Sequence, residues 1–320
     1  YMLYGDGSNL TNVSGGSGWS PDAQENLTAG TDAGNAKDAD TCFNIFLGYK
    51  AGYTNCAGDN NVTIGCCAGY SNQSGDNNVF IGAYAGKGNT TGYKNVMIGY
   101  NVGSSSHTGY CNIYLGANPA GGNSTGQHNF VAGYQAGYWG GGNHNFIVGQ
   151  LAYTALCGGN GNIAIGEYAG YCNCGGSNNI YLGRSIAYHG KCNSNNILMG
   201  YQAAYNSGSS GFMCCAQNNI GLGYQNLLKL QCGCGNIALG KQAGCNIIDG
   251  SCNVLIGHGV GAATTNGDHQ FKIGSGSDWW ICGDSSFNIY DKDGTQLNGG
   301  GGGGSGGCLK IVETTNFASD

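Results

Sequence analysis

Residues 77–100 read NNVFIGAYAGKGNTTGYKNVMIGY. The stretch holds two copies of one pentad, Asn78-Val79-Phe80-Ile81-Gly82 and Asn95-Val96-Met97-Ile98-Gly99, with first residues 17 apart. Within each pentad the first and third residues after the Asn alternate as in a strand. The Gly, Asn and Thr residues between pentads are the vocabulary of turns. Nothing in the stretch has helical period. A unit this short cannot bury an apolar side by itself, so it must stack on copies of itself.

Working outward, the pentad recurs with its first residue at Asn44, Asn61, Asn78, Asn95, Asn112, Asn129, Asn145, Asn162, Asn179, Asn196, Asn219, Asn236 and Asn253, and a variant starts at Gln270. The spacing shortens to 16 between Asn129 and Asn145, and it lengthens to 23 between Asn196 and Asn219, where Asn206 to Gly211 reads as a surface insertion. With the Asn as position 0, position 4 is glycine in every copy, including Gly48, Gly65, Gly82, Gly99 and Gly116. Position 1 is always Ile, Val or Phe, and position 3 is aliphatic. Position 7 is often Ala, position 8 mostly Gly, and six copies carry Tyr at position 9. The pattern predicts an all-β chain, a parallel β-solenoid of about fourteen 17-residue rungs. At ~4.8 Å per rung the rod would be roughly 60–65 Å long. The Asn residues are expected to stack as a hydrogen-bonded ladder, and the position-4 glycines to mark a bend that a Cβ would resist.

Positions 1, 3 and 7 are expected to form the core. Position 2 would then face outward, yet it is often large and apolar, as in Phe46, Phe80, Met97, Tyr114 and Leu198. An apolar stripe along a rod implies a lateral interface, and three chains about a fibre axis would bury it. The expected organisation is a connector or N-terminal cap over 1–41, the solenoid over 42–275, and a capping hairpin over 276–298 with its turn at Asp293-Gly294. A Gly-rich linker over 299–307 and a C-terminal strand or tail over 308–320 follow.

Composition excludes several classes. Glycine supplies 65 of 320 residues and charged residues only 9%. No Gly-X-Y period is present, so the chain is not collagen, and 21 tyrosines with many aliphatics argue against simple disorder. A net charge of −6 gives no footprint for nucleic acid. No apolar run approaches the ~18 residues of a membrane span, so no insertion into a membrane is expected.

The stretches 77–100 and 111–129 resemble repeats in tail fibres and other virion appendages of marine bacteriophages. Residues 5–16, GDGSNLTNVSGG, look like a glycine-rich connector common in such proteins. The repeat is also similar in style to head repeats of trimeric autotransporter adhesins, although those are shorter and poorer in cysteine. The resemblance covers about residues 42–275. It implies a homotrimeric fibre or adhesin shaft, at a virion surface or otherwise extracellular, whose partner is a host cell-surface glycan or protein. A secreted or surface-anchored filament or adhesin of a cell is the alternative. An ice-binding rod would want regular Thr ranks, which are missing.

No nucleophile–base pair or carboxylate pair stands out among the six histidines and sparse acids, so no catalysis and no cofactor or metal are expected. His128 and His144 share position −1 in neighbouring rungs, an arrangement that metal ions could use but that surface histidines also show. Seven Asn-x-Ser/Thr sequons, Asn26, Asn72 and Asn89 among them, are what the composition produces. Cys157 and Cys174 share position −5, and Cys215 and Cys232 share position −4. Stacking would place each pair within disulfide reach. Specific contacts are expected where the repeat breaks, at Trp139 and at Asn206 to Gly211, together with the tyrosines at positions 5 and 9.

Overall fold

The structure is a computed structural model. It describes residues 21–297 apart from 106, 123–124, 139–141, 155–157, 206–212, 215, 284–285 and 287. Among these the chain is all-β with no helix, a parallel β-solenoid of about 13 turns with repeats of about 17 residues. One 17-stranded sheet runs the length of the rod, and all but its last two strands pair in parallel. Most strands are three residues long, positions 1 to 3 of the pentad, and equal positions sit side by side. Val79, Phe80 and Ile81 pair with Val96, Met97 and Ile98, for example.

The solenoid starts earlier than residue 42. Leu27–Ala29 pairs in register with Ile45–Leu47, and Asn26 takes the ladder position below Asn44. The pentad Asn26-Leu27-Thr28-Ala29-Gly30 is a rung set off by 18 residues rather than 17, so the connector boundary at 41 is corrected to before Asn26. At the other end, Phe271–Ser275 turns back antiparallel onto Asp278–Gly283, which pairs with Ile289–Asp291. The cap is thus a three-stranded meander growing out of the last rung. A further turn after the third strand, at Asp293-Gly294, is closed by Gly294 N–H to Asp291 O at 3.0 Å.

The core lies on the other face of the strand from the one expected. Position 2 points inward: Phe46, Phe80, Tyr181, Leu198 and Leu255 are fully buried, and Met97, Tyr114 and Ile147 nearly so. Positions 1 and 3 face outward, with Ile98, Ile113, Ile163 and Ile165 exposed. Position 7 is inside as expected, with Ala51, Ala68 and Ala85 at zero exposure. Side chains alternate faces along a strand, so positions 0 and 2 must share one side. That side is the interior.

The rung is so narrow that one residue sets the size of another. Where position 2 is phenylalanine, position 8 of the same rung is glycine, because a Cβ on Gly52 or Gly86 would lie 2.5 Å from the ring of Phe46 or Phe80. In two places a small residue at position 2 is matched by a large one at position 8 of the same or the preceding rung. Tyr153 faces Tyr181 at 6.3 Å across the rung that carries Ala164, and Leu227 is fully buried in the rung that carries Gly221. This exchange puts side-chain volume where the small residue would leave a void, which close packing disfavours.

The corners are made by left-handed backbone. Position −1 has φ between 55 and 61° in each described non-glycine copy, including Glu25, Asn77, Lys94, Cys111 and His128. Such residues cost about 1–2 kcal/mol each, and cross-rung bonds such as Lys94 N–H to Asp76 O at 2.9 Å offset it. Position 4 is stricter. Gly65 has φ +133, and its Cβ would sit 2.6 Å from the carbonyl oxygen of Gly82 in the next rung. The glycine is therefore a close-approach site as well as a bend. Gly65→Ala is expected to cost about 3–4 kcal/mol, from strain and displaced backbone together. Gly158→Ala, at φ +102 with no atom within 4 Å of its Cβ, should cost clearly less. Equal losses of thermal stability in the two variants would remove the rung-to-rung contact as the reason for the invariant glycine.

Candidate functional site

Three hydrogen-bond ladders follow from the repeat. In the first, the N–H of each position-0 Asn donates to the Oδ1 of the Asn one rung before: Asn61 to Asn44 at 2.8 Å, Asn78 to Asn61 at 2.9 Å, Asn95 to Asn78 at 3.0 Å. The Nδ2 then donates to a carbonyl 14 residues on, as from Asn61 to Gly75 and from Asn78 to Gly92, both at 2.9 Å. Each Asn thus ties one rung to the previous rung and closes its own loop. The ladder runs through Asn112, Asn129, Asn145, Asn162, Asn179, Asn196, Asn219, Asn236 and Asn253. Gln270 ends it. Its longer amide donates back to Gly267 O at 2.8 Å and accepts from Ala263 N–H at 2.6 Å, so it satisfies a rung that has no successor in the stack.

The second ladder runs the opposite way at position −2 and was not anticipated. Cys42 N–H donates to Asp59 Oδ1 at 2.7 Å, Asp59 N–H to Asp76 Oδ1 at 2.9 Å, and Ser177 N–H to Ser194 Oγ at 3.0 Å. Its signal in the sequence is chemical rather than literal: Asp, Asn and Ser are interchangeable there because each offers a short oxygen acceptor.

The third ladder is a buried stack of Asn55, Asn72 and Asn89, joined Nδ2 to Oδ1 at 3.0 and 2.8 Å. His107 pairs with Asn89 on the next rung and is almost fully buried, with Nε2 3.1 Å from Ala120 O. Burial pushes its pKa down from 6.5 to about 4, against the opposing pull of the Ala120 carbonyl. The neutral ring is the folded form, so the unfolded chain binds more protons between these two values. Stability is therefore complete above about pH 6.5 and falls as pH drops toward 4, by about 3 kcal/mol in all. Denaturant melts of wild type and His107→Asn across that window should differ in slope. Identical slopes would show that the ring does not titrate as a buried group.

The other singled-out residues are placed as follows. Trp139, Asn206, Gly211, Cys157 and Cys215 lie outside the described residues. Cys174 is disulfide-bonded, while Cys232 is an exposed thiol. His128 and His144 stack face to face, ring centroids 4.9 Å apart and 2° from parallel. No group of three or more metal-ligating side chains occurs among the described residues. Tyr49, Tyr100 and Tyr134, at position 5, are about half exposed. At position 9, Tyr53 stacks on Tyr70 at 5.0 Å and Tyr171 on Tyr188 at 4.9 Å.

Two surface features remain. The outward columns at positions 1 and 3, flanked by the position-5 tyrosines, make a continuous apolar face along the sheet, with Phe130 and Phe146 stacked at 4.8 Å. At the C-terminal end, a cavity of about 440 Å³ opens between the last rung and the meander, walled by Leu255, Phe271, Trp279 and Tyr290. Trp279 covers that end in part, whereas Trp280 points to solvent at 64% exposure. No protein-family model, curated protein or solved structure matches this chain.

Proposed function

We propose that this chain is a non-catalytic shaft, part of a homotrimeric fibre or adhesin that works at a virion surface or otherwise outside a cell and engages a host-surface glycan or protein. The observation that carries this reading is the outward apolar face at positions 1 and 3. It is continuous over the rungs, and water-exposed aliphatic columns of that length call for a partner of equal length and period. Another copy of the same rod has both. The interior supports the same reading, since its position-0 Asn side chains are committed to a ladder that holds rung to rung. Exposed tyrosines at fixed spacing would then present many weak contacts at once, so affinity would come from multivalency.

The test has two arms. Sedimentation at micromolar concentration should give a homotrimer, and Ile98→Lys with Ile165→Lys should give a monomer with unchanged β-sheet circular dichroism. A wild-type chain that sediments as a clean monomer sinks the lateral assembly. In the second arm the labelled trimer is applied to intact candidate host cells. Binding no greater than that of an unrelated β-solenoid would leave a shaft without a receptor of its own.

A further inference from the structure

We propose that Cys66 and Cys67 form a two-thiolate chelate for a thiophilic cation, of the class that includes zinc, cadmium and trivalent arsenic. The two residues occupy positions 5 and 6 of their rung, at the corner after Gly65. Adjacent cysteines in an extended strand would point to opposite faces. Here Cys67 has φ 55, a left-handed conformation that brings its side chain round beside that of Cys66. The sulfurs lie 3.7 Å apart. Two thiolates bound at ~2.3 Å to one tetrahedral ion stand ~3.8 Å apart, so the pair already has the bite of a chelate.

That bite is held from both sides. Cys67 N–H donates to Tyr49 O at 2.8 Å in the rung before, and Tyr84 N–H donates to Cys66 O at 2.9 Å in the rung after. The backbone carrying both thiols is therefore fixed by the stack, and little ordering is left for an ion to impose. Cys66 is exposed and Cys67 half-buried, so a bound ion would keep positions open to solvent. Burial and the neighbouring Cys66 push the Cys67 thiol up, while Lys87 and Lys50 draw it down. A soft cation replaces the thiol protons and relieves the crowding of two sulfurs.

The most selective probe is a monoaryl trivalent arsenical, because a stable adduct requires two thiols. Both As–O bonds of the aryl-arsonous acid break, two As–S bonds form, and each thiol proton leaves with a hydroxide as water. No electron is transferred. The experiment uses the full chain, reduced, in a Cys174→Ser, Cys214→Ser background that removes the disulfide-bonded thiol and the other adjacent cysteine pair of the sequence. Intact mass should show one arsenical per chain with loss of two titratable thiols. Cys66→Ser and Cys67→Ser should each weaken the adduct by on the order of tenfold or more, the loss expected when a chelate becomes a single ligand. Cadmium titration followed by thiolate charge-transfer absorbance should lose the same site in the same variants. Both cysteines sit at the surface corner, so circular dichroism should stay unchanged. An adduct that survives Cys66→Ser, or a reduced chain that takes none, overturns the proposal.

Discussion

Phe80→Asp is expected to prevent the rungs around residue 80 from folding, whereas Ile81→Asp, one residue later, should leave the solenoid intact. Phe80 has no exposed surface and packs against the position-8 glycines Gly69 and Gly86. Removing the ring alone should cost about 3–5 kcal/mol. A carboxylate in its place would be cut off from solvent at a site with no exposed surface, which adds several kcal/mol more. In a one-dimensional stack such a break splits the rod into two shorter arrays. Limited proteolysis should therefore cleave near residue 80 in this variant and not in wild type. Ile81 lies on the outer face, where a carboxylate reaches solvent, so Ile81→Asp should keep its melting temperature and lose lateral assembly only. If Phe80→Asp instead folded and merely failed to assemble, position 2 would be the interface and the core assignment would be wrong.

Replacing one Asn of the main ladder should be nearly as damaging, and the identity of the replacement is informative. Asn78 Oδ1 accepts the N–H of Asn95 at 3.0 Å and its Nδ2 donates to Gly92 O at 2.9 Å. Asn78→Ala leaves the Asn95 N–H buried and unpaired, at about 1–3 kcal/mol, and leaves Gly92 O with only its bond from Asn89 Nδ2 at 2.9 Å. Asn78→Asp keeps the acceptor but sets a second oxygen against the Gly92 carbonyl, and it buries a charge. At neutral pH it should be the worse variant. A protonated carboxyl can again donate to Gly92, so the folded state raises the pKa of this Asp and the folded form binds the extra proton. Its stability should rise as pH falls through that raised value, and the Asp variant should overtake the Ala variant in acid. Thermal melts of the two variants between neutral pH and pH ~4 would show the crossing. A cost for Asn78→Ala near that of an ordinary surface substitution, within about 0.5 kcal/mol, would mean that the ladder is decoration.

Much of the architecture was legible because the repeat is written in types that have few other uses. Glycine at position 4 in every copy announced a backbone need, and an Asn at the same place in thirteen copies announced a stack. What hid the first rung was its 18-residue offset and the small residues Thr28 and Ala29 in its pentad. The position −2 ladder was hidden by its mixed residue types, and the left-handed corners by the variety of side chains that occupy them.

The sequence by itself determined the period, the parallel register, the Asn ladder and the absence of helix, because these depend only on what recurs at each seventeenth residue. It left open which face of the strand is inside, since positions 1, 2 and 3 are all apolar and alternation alone defines two faces without naming them. The tertiary structure decided that. Asn at position 0 must bury its amide against rung carbonyls, so its side of the strand is the interior, while the glycine at position 4 sits at the bend and lets the next rung approach. Position 2 shares the side of position 0 and goes with it, and the more regular aliphatic columns at positions 1 and 3 are left on the surface of the rod.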